Sequence, residues 1–75
     1  MPAVVIAGTR FGEVLAFDEA RGIGSVRGDD GATLGFHCTQ IADGSRRIPV
    51  GARVRYDLTA SPLGVWEATR LDQVA

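Results

Sequence analysis

The chain has no lysine, only one cysteine and only one histidine. All eight basic residues are arginine and nine residues are acidic, which leaves a net charge of −1. That balance excludes a general electrostatic attraction to nucleic acid, so binding would need a local cluster of arginines. The lone Cys38 excludes an internal disulfide and a cysteine-based metal site of usual spacing. We therefore expect a protein without a metal or other cofactor.

The opening segment MPAVVIAG has no basic flank. Its apolar run of about five residues is too short for a signal-peptide core or a membrane span. Together with the free cysteine, this predicts a cytoplasmic protein that does not enter a membrane.

Apolar residues make up 45% of the 75 residues and are spread along the whole length. Such a composition is typical of a globular core rather than of disorder. A chain of this size has room for one domain, which buries only roughly 60% of its unfolded surface. We expect a small stability margin and a chain that folds alone or as a small oligomer.

Short β-rich runs alternate with clusters of glycine, aspartate, serine and proline, and no window has convincing helical periodicity. Five strands are predicted, at residues 12–17, 24–28, 33–38, 52–58 and 65–71. The segment DDGA (29–32) contains an Asp-Gly turn, which predicts a hairpin between the second and third strands. In the fourth strand, Val54, Tyr56 and Leu58 alternate with charged residues, so one face should be buried and the other should carry arginines.

Five short strands with a longer link between the third and fourth predict a small all-β barrel of antiparallel strands in Greek-key order. The barrel is expected to be closed or partly open, and closure is the form that removes exposed strand edges. The β-branched run Val4, Val5 and Ile6 could add an extra edge strand, or it could pair with another chain in a symmetric dimer. We place an N-terminal extension at residues 1–10 and the domain at residues 11–75.

Four segments occur in order with the spacing of one known family. They are GEVLAFDEARGIGSV, then DDG followed by LGFHCTQI, then IPVGARVRYDL, and finally LGVWEATRL. Between Gly12 and Leu71, this series resembles the cold-shock domain, a five-stranded OB-fold barrel. The resemblance implies a non-enzymatic module that binds single-stranded RNA or DNA.

In that family, aromatic side chains on neighbouring strands form a platform for unstacked bases. Of seven aromatic or histidine positions carried over from the family, two are retained here, as Phe17 and His37. The other five have lost their aromatic rings; they are Ala16, Ile23, Ser25, Gly35 and Cys38. Because stacking is worth roughly 1–3 kcal/mol per base, the resemblance combined with these losses predicts weak or atypical binding.

Five residues remain as candidates for nucleic-acid contacts: Phe17, Arg21, His37, Arg27 and Arg46. The first three stand at family positions, with Arg21 at the basic position before the glycine of the first motif. The other two arginines fall on neighbouring turns, where a guanidinium group can form a fork with phosphate. For His37, the alternative is a solvated strand histidine without a role.

Trp66 has three alternative roles. It could stack on a base or anchor a protein partner, since tryptophan is enriched in both settings, or it could be buried or partly buried at one end of the barrel. The alternative function is therefore a protein-interaction or dimerisation module that kept the barrel but lost nucleic-acid binding. Such a module would use Trp66 or the N-terminal run as its contact.

The segment GIGSVRG (22–28) does not have the spacing of a phosphate-binding loop. We instead expect Gly22 to allow a turn with positive φ and Gly24 to allow a sharp bend. His37 and Cys38 are neighbours in a predicted strand, so their side chains should point to opposite faces and not form a catalytic dyad. The sequence contains no convincing catalytic constellation, and we predict that the protein is not an enzyme.

Overall fold

The structure is a computed structural model that describes residues 5–60 and 63–74, with side chains from residue 8 onward. Its elements are β1 (Val5–Asp18), β2 (Ile23–Gly28), β3 (Thr33–His37), a 3-10 helix (Cys38–Gln40), β4 (Arg53–Ala60) and β5 (Trp66–Gln73). The five predicted strands are therefore confirmed. None of the helical structure in the described ranges is long and apolar enough to cross a bilayer.

The strands form a closed barrel in the order β1-β2-β3-β5-β4, and β4 returns to pair with β1. This confirms the predicted all-β closed barrel, and the β2–β3 hairpin at the Asp-Gly turn. The prediction of a wholly antiparallel sheet is wrong at one pair, because β3 and β5 run parallel. A ring of five strands cannot alternate in direction all the way round, since five is an odd number.

The N-terminal run enters β1 instead of forming a separate strand among the described residues. Val5 is the register partner of Ala60, and Ile6 is that of Thr59, both on β4. Strand pairing therefore continues across the predicted boundary between residues 10 and 11. Val4, which belongs to the same run, lies outside the described residues.

The core occupies the barrel interior, and in β3 and the first half of β4 the buried residues follow the alternation of the strand. In β4, Val54 and Tyr56 are buried as predicted, and Leu58 is half-buried against the core. Among the residues whose side chains are described, the buried apolar ones are Val14, Val26, Leu34, Phe36, Ile41, Ile48, Val54, Tyr56, Ala68 and Leu71.

The predicted arginine face of β4 exists, and aspartates neutralise it. Arg53 donates two hydrogen bonds to the carboxylate of Asp29, at 2.6 and 2.5 Å. Arg55 lies 3.3 Å from an oxygen of Asp72. These arginines are therefore engaged within the fold, in agreement with an ordinary solvated face of alternating charge.

Gly24 lies between two phenylalanines on neighbouring strands, with Phe17 of β1 on one side and Phe36 of β3 on the other. The two rings are parallel, with their centroids 5.9 Å apart. A Cβ added at Gly24 would lie 2.5 Å from Cζ of Phe36 and 2.7 Å from the carbonyl oxygen of Ala16. The stack across β2 therefore requires glycine at this position.

A matched pair of glycine substitutions tests this packing. We expect Gly24→Ala to lower the free energy of unfolding by roughly 1–3 kcal/mol, because the methyl group overpacks the stack. Gly35→Ala should be neutral or slightly stabilising, since its new Cβ would meet no atom closer than 3.9 Å and alanine restricts the unfolded chain. Chemical denaturation followed by circular dichroism measures both. Equal stabilities of the two variants would contradict the close packing at Gly24.

The ion pair between Arg53 and Asp29 predicts a pH effect. The hydrogen bonds from Arg53, and then the positive charge of its guanidinium group, hold the pKa of Asp29 below the ordinary value of 3.8. Because this pKa is depressed in the folded state, the contribution to stability is present above pH 3.8 and is lost as the pH falls through the folded-state pKa. Carboxyl NMR titration should give a midpoint below 3.8 for Asp29.

In Arg53→Gln, the titration midpoint of Asp29 should rise toward its ordinary value. Asp43 provides the internal control, because hydrogen bonds from Ser45 lower its pKa independently of Arg53. A midpoint of Asp29 that does not respond to Arg53→Gln would show that the pair does not persist in solution.

Candidate nucleic-acid interface

Five of the family positions meet on the outer surface of β1, β2 and β3. Ala16, Ser25 and Gly35 are register partners across the three strands, and Ile23 is the partner of His37. We call these five residues the platform face. The structure therefore assembles the surface that the resemblance implies, although only Ile23 and His37 still carry large side chains on it.

Phe17 does not lie on the platform face. The β1–β2 register shifts between Val14 and Ala16, and beyond this bulge Ala16 is exposed while Phe17 is half-buried against the core. One face of the Phe17 ring is covered by Phe36 in the stack described above. Of the two retained aromatic or histidine positions, the structure thus presents only His37 on this surface.

His37 is exposed at the end of β3, and its ring is held by the following turn. The backbone N–H of Thr39 donates to Nδ1 at 3.3 Å, and the hydroxyl of Thr39 lies 2.9 Å from the same atom. With Nδ1 acting as an acceptor, the neutral ring carries its proton on Nε2. That N–H has no hydrogen-bond partner within the described part of the chain and can donate to a ligand.

Gly22 brings the β1–β2 turn against the 3-10 helix. Its φ is +69°, which confirms the predicted positive value. Its N–H donates to the carbonyl of Asp18 at 2.8 Å, and its own carbonyl accepts from the N–H of Cys38 at 2.7 Å. A Cβ at Gly22 would lie 2.8 Å from the Cys38 sulfur. This close approach places Arg21 beside His37.

Cys38 departs from its predicted place in the third strand. It opens the 3-10 helix, so the strict strand alternation expected for His37 and Cys38 does not hold there. The sulfur of Cys38 lies 3.9 Å from Nδ1 of His37. Because Thr39 already engages that nitrogen, the contact does not have the arrangement of a nucleophile and its base.

Three arginines surround a shallow pocket next to the platform face. Arg21, Arg46 and Arg47 line it together with His37, and we call these three arginines the basic rim. The structure therefore unites three of the predicted contact residues, Arg21, His37 and Arg46. Arg47 was missed in the sequence, where only its position next to Arg46 could have indicated it.

The loop that carries Arg46 and Arg47 is tied by local hydrogen bonds. The N–H of Ser45 donates to Asp43 at 2.8 Å. The hydroxyl of Ser45 donates to the carbonyl of Arg47 at 3.0 Å and lies 3.2 Å from the N–H of Arg47. Arg46 has a φ of 60°, in the left-handed region. These contacts fix the backbone of the loop from which the two arginine side chains project.

Acidic neighbours partly offset the charge of the basic rim. Arg47 lies 3.5 Å from Glu19, and Arg21 lies 4.0 Å from Asp18. Both arginines are about three-quarters exposed, so these pairs are weak and compete with solvent and salt. Arg46 has no ion pair within residues 5–60 and 63–74. The rim is therefore a small positive region on a weakly acidic protein.

Arg27 stands apart from the basic rim. It lies four residues from Ile23 along β2, or roughly 13 Å at the usual rise of a strand. Its register partners are Glu13 on β1 and Thr33 on β3. The structure therefore places Arg27 at the far end of the platform face, separated from the other predicted arginines.

A second, more apolar depression adjoins the platform face where β5 begins. Gly35 is the parallel register partner of Glu67, which brings the start of β5 next to β3. We call this depression the Trp66 groove; its lining includes Ile23, Gly35, His37, Val65, Trp66 and Glu67. Trp66 is 46% exposed, which excludes full burial at the end of the barrel. His37 borders both this groove and the basic rim.

The same surfaces offer no metal centre. Across the described residues, no three His, Cys, Asp or Glu side chains come together in a way that could hold a metal ion.

Comparisons with known proteins identify the fold. No protein-family model and no curated protein sequence matches the chain. Sixteen chains of solved structures do match, including a Drosophila Unr structure comprising cold-shock domains 4, 5 and 6. The TM-score is 0.75 at 25% sequence identity, over 91% of this chain and 27% of the Unr chain. This protein thus spans about a quarter of that structure, and it has a cold-shock-domain fold in a divergent sequence.

Proposed function

We propose that this protein is a nucleic-acid-binding module that engages single-stranded RNA or DNA weakly. The observation that carries the proposal is the position of the basic rim beside His37, at one end of the platform face. Cold-shock domains belong to the modules that recognise unpaired bases by stacking and edge contacts. The similarity to the Unr cold-shock domains supports such a role for this barrel.

The arrangement suits a strand whose bases face the sheet. Guanidinium groups of the basic rim can form paired hydrogen bonds with phosphate oxygens. The Nε2–H of His37 can donate to a base edge or a phosphate, while Ile23 offers an apolar surface next to it. The remaining platform positions, Ala16, Ser25 and Gly35, leave the sheet open but supply no ring for stacking.

The affinity is expected to be low and only moderately sensitive to salt. Each lost aromatic removes a contribution of roughly 1–3 kcal/mol per stacked base. Three rim arginines neutralise at most about three phosphates, which corresponds to a logarithmic salt slope of roughly −2 for a single strand.

A protein-interaction or dimerisation module is the second candidate. It is supported by three large apolar side chains exposed together in the Trp66 groove, namely Ile23, Val65 and Trp66. For either candidate we propose a non-enzymatic, cytoplasmic protein. The free thiol of Cys38 and the engagement of the His37 ring by Thr39 support this proposal.

Charge variants test the basic rim. We expect Arg21→Gln and Arg46→Gln each to weaken binding about fivefold, from the loss of about 1 kcal/mol of phosphate contact. The magnitude of the salt slope should fall by about 0.7 for each arginine removed. Fluorescence anisotropy of a labelled single-stranded 12-mer at several salt concentrations measures both quantities.

Arg55→Gln is the matched control, because Arg55 is paired with Asp72 and lines a different pocket. It should bind like the unmodified protein. An equal loss of affinity in all three variants would mean that binding depends on the net charge of the protein and not on the basic rim.

Restoring one aromatic side chain should strengthen binding by the platform face. Ser25 occupies a family aromatic position between Ala16 and Gly35, where small neighbours leave room. We expect Ser25→Phe to tighten binding about 5- to 100-fold through base stacking. Val50→Phe adds the same ring at a position that is 64% exposed and outside the platform face, and it should have no effect. Unchanged binding by a folded Ser25→Phe variant would exclude this face as the binding surface.

A further inference from the structure

The Trp66 groove combines an apolar wall with an open floor. Trp66, Ile23 and Val65 are 46%, 44% and 56% exposed, and all three line the groove. Gly35 forms part of the floor, and the nearest atom to a Cβ placed there would be 3.9 Å away. The groove can therefore receive a flat group beside the indole ring without rearrangement of the sheet.

The charges around the groove favour a base over a phosphate as its occupant. Glu67 lines the groove, and its carboxylate repels phosphate but can accept a hydrogen bond from the amino group of a base. The basic rim lies on the other side of His37, which borders both sites. A nucleotide can thus place its base beside Trp66 and keep its phosphate on the arginine side.

We propose that the Trp66 groove is a base-binding subsite, in which one unpaired base of a single strand stacks on the indole of Trp66 while the adjoining backbone lies toward His37 and the basic rim. This inference rests on the proposed function and adds a contact on β5. Trp66 compensates in part for the aromatic side chains missing from the platform face. An aromatic residue is effective in this role because stacking tolerates any base.

The experiment compares two strands of equal length, an oligo-dC 12-mer and an abasic 12-mer, on the full chain. Anisotropy of a label on the strand reports binding, and protein fluorescence reports on Trp66, the only tryptophan. We expect both strands to bind through phosphate contacts. Only oligo-dC should quench Trp66, because quenching requires a stacked base.

Two variants locate the subsite. Trp66→Ala should weaken oligo-dC binding about 5- to 100-fold and leave abasic binding unchanged. Gly35→Val, which fills the floor of the groove, should likewise weaken oligo-dC binding and abolish the quenching. Leu63→Ala is the control, since Leu63 is 90% exposed and does not line the groove, and it should bind both strands normally.

The outcomes separate this inference from the proposed function. If oligo-dC binds without quenching Trp66 and Trp66→Ala binds it equally well, the subsite is overturned while nucleic-acid binding stands. If neither strand raises the anisotropy, the proposed function fails and the subsite fails with it. If sedimentation shows a dimer that Trp66→Ala converts to a monomer, the groove is a protein interface and the base-binding proposal is overturned.

Discussion

Closure of a five-stranded ring is the constraint on which the arrangement of this molecule depends. With an odd number of strands, one neighbouring pair must run parallel, and here it is β3 with β5. That pair brings the first residues of β5 against the outer edge of the platform face. Trp66, which is far from His37 in sequence, thereby becomes its neighbour around one groove. The platform face, which has lost aromatic rings on β1, β2 and β3, is in this way extended by a side chain of β5.

Much of the barrel could be predicted because it depends on local signals. Glycine and aspartate clusters mark the turns, and the alternation around Val54 and Tyr56 identifies the buried face of β4. The parallel pair could also have been deduced, since it follows from counting the strands once closure is assumed. The face of β1 on which the Phe17 side chain lies could not be predicted. The bulge between Val14 and Ala16 reverses the alternation, and no residue type in that segment indicates where an extra residue enters the strand.

In the candidate site, too, some features follow from the local sequence and others depend on contacts between distant segments. The members of the platform face were named from the family resemblance, and the period of two along paired strands explains why they share one surface. The basic rim depends on the contact between Gly22 and Cys38 and on the loop around Ser45, both of which join segments that are distant in the chain. The family resemblance identified Arg21 as a candidate, and an expected position on a neighbouring turn identified Arg46, but neither showed that the two residues meet. Arg27 was chosen in the same way as Arg46 and lies elsewhere.

Arg46 illustrates a conflict between folding and charge at a single residue. A left-handed backbone costs an arginine roughly 1–2 kcal/mol, which a glycine would avoid. Gly44, two residues earlier in the same loop, shows the contrast, because it takes a φ of 75° without that cost. In a domain of 75 residues, a cost of that size is a substantial part of the total stability expected. Replacing Arg46 with glycine would remove this backbone cost, but it would also remove one of the three positive charges of the basic rim.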